Sequence, residues 1–187
     1  MPYRFKKNNQ GFTLIELLIV VAVIAILATV VFVALNPVAR FEDARNSRRW
    51  NDMNAIVSAI KLYQVDKRGH LAAIQTMMND MKTPDGLAFD DSKVYQVGTG
   101  GGSCEYQCLK GDGDTDNKTL QANCVDLTTL VTAGYLPKVP SDPNASGVSD
   151  ATTRYYISAT ESGAIIIGAC DPEKGSDDAK KAIEVKR

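Results

Sequence analysis

Residues 12–35, FTLIELLIVVAVIAILATVVFVAL, hold one charged residue in 24 positions. A helix of that length is roughly 36 Å long, enough to cross a hydrocarbon core of about 30 Å. In lipid the backbone must satisfy its own hydrogen bonds, so helix is required here despite the many β-branched residues. The rest of the 187-residue chain must be arranged around that segment, as one anchor plus one ordinary domain. Arg4, Lys6 and Lys7 precede the run with no acid beside them. That places the N-terminus in the cytoplasm and everything after residue 36 outside. Arg40, Arg45, Arg48 and Arg49 on the far side pull the other way, with Glu42 and Asp43 interleaved.

Asn36-Pro37 predicts a kink, because proline removes a helical hydrogen bond and biases its predecessor away from α. The helix then resumes. Met53, Ile56, Val57, Ile60 and Tyr63, with Phe41 and Trp50 before them, recur at steps of three and four. They form one apolar stripe on a charged helix that ends at Gly69. Phe12 to about residue 67 is thus expected as one helix, oily all round in its first half and on one side in its second. Downstream, residues 71–86 suit a short helix and KVYQV (93–97) alternates like a strand. Residues 98–124 read as a glycine- and aspartate-rich loop. A short helix follows, with Asp126 as N-cap, Leu127, Leu130 and Val131 facing inward, and Gly134 as its stop. RYYISA (154–159) and GAIIIGA (163–169) form an antiparallel hairpin. The polar tail is expected to be poorly ordered beyond residue 175. The fold class is α+β, a long N-terminal helix whose amphipathic half packs on a small antiparallel sheet.

Formal net charge is −1, but charge is unevenly spread. Residues 36–70 carry seven Lys/Arg against four Asp/Glu, and residues 71–187 carry eleven against seventeen, balances of +3 and −6. A basic neck and an acidic head on one chain suit attraction between neighbouring copies; two independently solvated surfaces are the plainer reading. The acidic head argues against direct nucleic-acid binding, whose affinity comes from phosphate attraction. All four cysteines, Cys104, Cys108, Cys124 and Cys170, lie in the half expected to leave the cytoplasm. An even count there points to two disulfides, with three possible pairings. Their spacing is a poor match to zinc ribbons or fingers, and the single histidine, His70, is distant in sequence. No nucleophile–base pair, phosphate-cradling loop or histidine cluster emerges, so the chain reads as non-enzymatic.

The stretch KKNNQGFTLIELLIVVAVIAIL (6–27) closely resembles the N-terminus of type IV pilins and of the pseudopilins of type II secretion systems. Their short basic leader ends in Gly, the next residue is Phe, and a Glu follows four positions later. Gly11, Phe12, Thr13, Leu14 and Glu16 match position by position. The likeness is strong over residues 4–35, looser through ARNSRRWNDMNAIVSAIKLYQVDKRG, and beyond residue 71 it thins to architecture, with GYLPKVPSDP similar to a pseudopilin and minor-pilin segment. It implies that residues 1–11 are a leader cut between Gly11 and Phe12 by a prepilin peptidase, which then methylates the new amine of Phe12. Residues 12–35 would form the membrane and filament-core helix, residues 36–70 its amphipathic extension, and residues 71–187 a disulfide-containing head. Glu16 would pair with the freed amine of Phe12 on its own or a neighbouring subunit. A carboxylate in a membrane helix is costly without a partner, and such a pair would set the register of otherwise featureless helices.

The function implied is a structural subunit of a type IV pilus-like filament. It would sit in the cytoplasmic membrane before assembly and at the surface afterwards, with other subunits, the peptidase and the inner-membrane assembly machinery as partners. The alternatives are a pseudopilin forming a periplasmic filament, or a minor pilin that primes assembly or carries adhesion or DNA uptake. No cofactor is expected apart from calcium at two candidate places. Asp112, Asp114 and Asp116 stand at positions one, three and five of an EF-hand-like loop, but Asn117 and Asn123 occupy the positions that need Gly and Glu. A solvated acidic loop is the competing reading. Asp142 and Asp150 lie in SDPNASGVSD, which resembles the calcium-binding region of major pseudopilins, with half of that motif present.

Overall fold

A computed structural model of the chain describes residues 11–83, 86, 88–99, 119–144, 147–149, 151–176 and 183–187. The chain divides into two units, Met1–Val38 and Ala39–Arg187.

Helix α1 (Leu14–Leu35) contains no buried residue. Asn36 closes it in the left-handed region, at φ 38° and ψ 70°, and Pro37 opens α2 (Pro37–Lys67). Proline is well placed there, since the first helical position needs no N–H and its fixed φ suits a helix. The expected kink is therefore a one-residue interruption of the helical stretch Leu14–Lys67. At the other end of α2, Gly69 N–H donates to the Gln64 carbonyl at 3.2 Å. That six-to-one bond is a Schellman closure. The residue that turns left-handed to allow it is Arg68, at φ 51°, and not the glycine beside it. Left-handed geometry strains an L-residue. Arg68→Gly is expected to raise stability by about 0.5–1 kcal/mol, read as a higher denaturation midpoint at unchanged slope.

In the second unit, α2 is followed by α3 (Ala72–Asp80), β1 (Lys93–Gly98), β2 (Thr119–Asp126), α4 (Thr128–Thr132), β3 (Tyr155–Ala159), β4 (Ile165–Ala169) and β5 (Glu184–Lys186). The strands form one sheet in the order β2-β1-β3-β4-β5. The hairpin β3–β4 stands as expected, with Tyr155 opposite Ala169 and Ala159 opposite Ile165. The sheet is mixed, however, because β1 and β2 pair in parallel. Residues 119–124 belong to that strand and not to a loop, and the twenty residues 99–118 give the length a parallel crossover needs. The tail also departs from expectation: β5 completes the sheet beside β4, burying Ile183 and Val185. Asp126 is not itself the N-cap of α4, but its Oδ1 accepts from the Thr128 N–H at 2.8 Å.

The core unites Met53, Ile56, Val57 and Ile60 of α2 with Ile74 and Met77 of α3 and with Tyr95, Tyr155, Ile157, Ile165 and Ile167 of the sheet. Tyr63 packs at its margin. The stripe does not extend towards the start of α2: Phe41 and Trp50 are 65% and 44% exposed, while Arg49 is fully buried. One sheet position is sterically critical. A Cβ on Gly98 would lie 2.4 Å from the Ala151 carbonyl oxygen, a backbone atom with no rotamer to yield. Gly98→Ala is expected to cost about 1–3 kcal/mol through overpacking, measurable as an earlier thermal transition.

Candidate functional site

Two places concentrate polar chemistry, one in each unit. The first is the start of α1. Among the described residues nothing lies within 4 Å of a Cβ built on Gly11, and Phe12 is 88% exposed, so none of them covers the peptide bond between the two. Thr13 caps the helix through a reciprocal box. Its N–H and its hydroxyl donate to Glu16 Oε2 at 3.0 and 2.8 Å, and its Oγ1 accepts from the Glu16 N–H at 3.3 Å. Sequence reasoning had named Glu16 but missed that Thr13-x-x-Glu16 is a capping box, a signal that was readable. Among the described residues nothing donates to Oε1, so one carboxylate oxygen remains open to an incoming cation. Farther along, the Thr29 hydroxyl donates to the carbonyls of Ala25 and Ile26 at 2.8 and 3.0 Å. The polar side chains of α1 are thus bonded within the helix itself, as a lipid surround demands. This is the one helix among the described residues long and apolar enough to cross a membrane.

The second place is a charged cluster in the head, which sequence reasoning did not foresee. Arg49 lies one turn before Met53 on the core face of α2, and a cation in an apolar stripe was the available clue. Its Nε donates to Asp142 Oδ2 at 2.7 Å and its Nη2 to Oδ1 at 3.0 Å. Its Nη1 donates to Asn46 Oδ1 at 2.7 Å and Glu173 Oε2 at 2.8 Å. Arg45 clasps Glu173 as well, Nε to Oε2 at 2.7 Å and Nη2 to Oε1 at 2.5 Å. Asn46 exchanges two bonds with the Glu173 backbone. Gly175 and Ser176 donate their N–H groups to Glu42 and Asp43, each at 2.9 Å. The first half of α2 therefore grips residues 173–176 by side chain and backbone alike. Burial raises the Glu173 carboxyl, but its bonds to Arg45 and Arg49 outweigh that and leave it below the usual carboxylate range. Burial disfavours the Arg49 charge too, and the same carboxylates more than restore it.

Two of the seven basic residues of the neck, Arg45 and Arg49, are thus paired inside their own head. Asp142, a calcium candidate, is the Arg49 partner. Asp150, Asp112, Asp114 and Asp116 lie outside the described residues, though positions eight to twelve of the EF-hand-like loop fall within strand β2. No group of three or more metal-ligating side chains occurs among the described residues. Cys124 and Cys170 are disulfide-bonded, while Cys104 and Cys108 lie outside the described residues. Intact protein is expected to gain the mass of four hydrogens on reduction, one for each cysteine of the chain.

The structure thus defines an α+β protein with an exposed, predominantly apolar N-terminal helix and a five-stranded head. A family model, the prokaryotic N-terminal methylation motif, matches residues 6–32. The chain accordingly carries the class III signal, consistent with the type IV pilin and pseudopilin family and with a membrane-anchored precursor. No curated protein and no solved structure matches the chain.

Proposed function

We propose that the protein is a structural subunit of a type IV pilus-like surface filament, assembled through α1 after cleavage at Gly11-Phe12 and methylation of Phe12. The observation carrying this reading is that α1, most of which lies within the matched methylation motif, is apolar apart from Glu16 and Thr29 and has no buried residue. Such a surface needs a cover: lipid before assembly, and the helices of other subunits after it. Lipid is as apolar as a helix bundle, so leaving the membrane gains little from the hydrophobic effect. Packing and specific polar contacts must drive the transfer. Glu16 supplies one such contact. Its Oε2 is held by Thr13, and its Oε1 would receive the Phe12 ammonium of an adjacent subunit. The head supplies the filament surface, and no catalytic step is required of it.

The test is to shear filaments from intact cells and examine this chain's N-terminus by peptide mass spectrometry. An abundant peptide beginning at Phe12 and one methyl heavier supports the reading. Absence from the sheared fraction, with an uncut Met1 or Pro2 terminus in membranes, removes it and leaves an anchored single domain. Methylated Phe12 confined to membranes assigns the chain to the pseudopilins of a secretion system.

A further inference from the structure

The resemblance to pseudopilins implies calcium at Asp142, and the residues in place do not fit that ion. Calcium takes six to eight oxygen ligands at about 2.3–2.6 Å. The Asp142 side chain is 0% exposed, and both its oxygens accept from the Arg49 guanidinium, with Oδ1 also taking the Asn144 N–H at 2.9 Å. A divalent ion on either oxygen would have to displace the guanidinium or lie against it as a like charge. In direct contact, Arg45 and Arg49 meet Asp142 and Glu173, two cations against two carboxylates, so the oxygens a calcium ion would need are already taken up by guanidinium groups.

We infer that Arg49 is the resident cation of this site, so that the head holds its 142–144 and 173–176 segments on α2 without a divalent metal. The guanidinium does what a bound ion does elsewhere. It gathers oxygens from α2 (Asn46), from the loop before β3 (Asp142) and from the segment after β4 (Glu173), three places distant in sequence. Asn144 adds a bond from its Nδ2 to Glu173 Oε1 at 2.9 Å, which ties the two segments directly to each other. Because this cation is covalently part of the chain, chelators do not remove it and its occupancy does not follow the ion content of the medium. The head would keep its form in surroundings where calcium varies.

The full-length protein in detergent tests this without any filament, so the result stands apart from the proposal on assembly. Two readouts apply: the thermal midpoint, and the rate at which trypsin cuts the chain after Lys174, an exposed residue inside the held segment, followed as the new terminus at Gly175 after quenching and reduction. Millimolar calcium or excess EDTA is expected to leave both unchanged in the wild type. A ligand at a hundred times its Kd would raise the midpoint of a protein this size by roughly 5–10 °C. Arg49→Ala is expected to speed cutting at Lys174 about tenfold or more, by lowering the cost of local opening. Glu173→Gln, which keeps the side-chain volume and leaves the Arg49–Asp142 pair intact, is expected to speed it several-fold with a small change in midpoint. A calcium-dependent rise in the wild-type midpoint that Asp142→Asn abolishes would overturn the inference. Cutting of Glu173→Gln at the wild-type rate would overturn it as well.

Discussion

Glu16→Ala is expected to reduce recovered filaments by roughly a hundredfold or more while leaving leader cleavage and membrane anchoring intact. The separation follows from where the carboxylate acts. Removing a charge from α1 makes insertion easier, so the anchor is not weakened. No described residue crowds Gly11, Glu16 included, so access to the Gly11-Phe12 bond does not depend on that carboxylate. In the proposed filament, what would be lost is the acceptor for the adjacent subunit's Phe12 amine, a charge pair in a low-dielectric core, where truncating one partner leaves the other buried and unpaired. Glu16→Gln keeps the shape and the cap to Thr13 but not the charge, so it is expected to fail nearly as badly. Thr13→Ser, which retains the hydroxyl, is expected to behave like the wild type. Quantifying sheared and membrane-bound protein by immunoblot, together with the mass of the N-terminal peptide, distinguishes the three. Normal filament yield from Glu16→Ala would remove the register role assigned to this residue.

Arg49→Met is expected to destabilise the head by about 3–5 kcal/mol, since it leaves the fully buried Asp142 carboxylate without its counter-charge. For a protein of this size that is a fall of roughly 6–20 °C in the thermal midpoint. The double replacement Arg49→Met with Asp142→Leu is expected to recover most of the loss, because exchanging both members of a buried pair for apolar groups is often neutral. Glu173 keeps Arg45 as a partner in that variant. Recovery would show that the single variant suffers from a stranded charge and not from lost packing. A double variant as unstable as the single one would assign the cost to the geometry the guanidinium imposes on the two segments.

Acid should act through the same cluster. The Glu173 carboxyl lies below its ordinary value in the folded head, with the Arg45 and Arg49 bonds outweighing the opposite effect of burial. A depressed carboxylate contributes stability above its unfolded pKa, near 4.3, and loses it as pH falls through the lower folded value. Asp52 runs the other way. Burial raises it against the opposing hydrogen bond it accepts from the Tyr155 hydroxyl, so its contribution grows as the medium turns acid. Glu173→Gln is therefore expected to be less stable than the wild type at neutral pH and to flatten the acid limb of the stability profile. A limb unchanged in that variant would take Glu173 out of the acid response.

The anchor, the motif at Gly11, Phe12 and Glu16, the core stripe from Met53 to Ile60 and the β3–β4 hairpin were all legible in the sequence. Each rests on an interaction between near neighbours: a helical period, a strand alternation, or the fixed spacing of the N-terminal motif. The parallel partner of β1 was not legible, because TLQANCVD shows no clean alternation and its pairing depends on a strand over twenty residues away. Nor was β5, a three-residue strand in a polar tail whose only strong apolar residues are Ile183 and Val185. The charged cluster shows the division most plainly. The spacing from Arg49 to Met53 put a cation on the inner face of α2, but a guanidinium is buried only where carboxylates meet it. Those carboxylates come from residues 93 and 124 positions downstream. Local order determined that the protein is an apolar helix leading into an α+β head. Tertiary folding alone decided which charges are used up inside that head, because the electrostatic free energy of a buried ion depends on neighbours that local periodicity does not reveal.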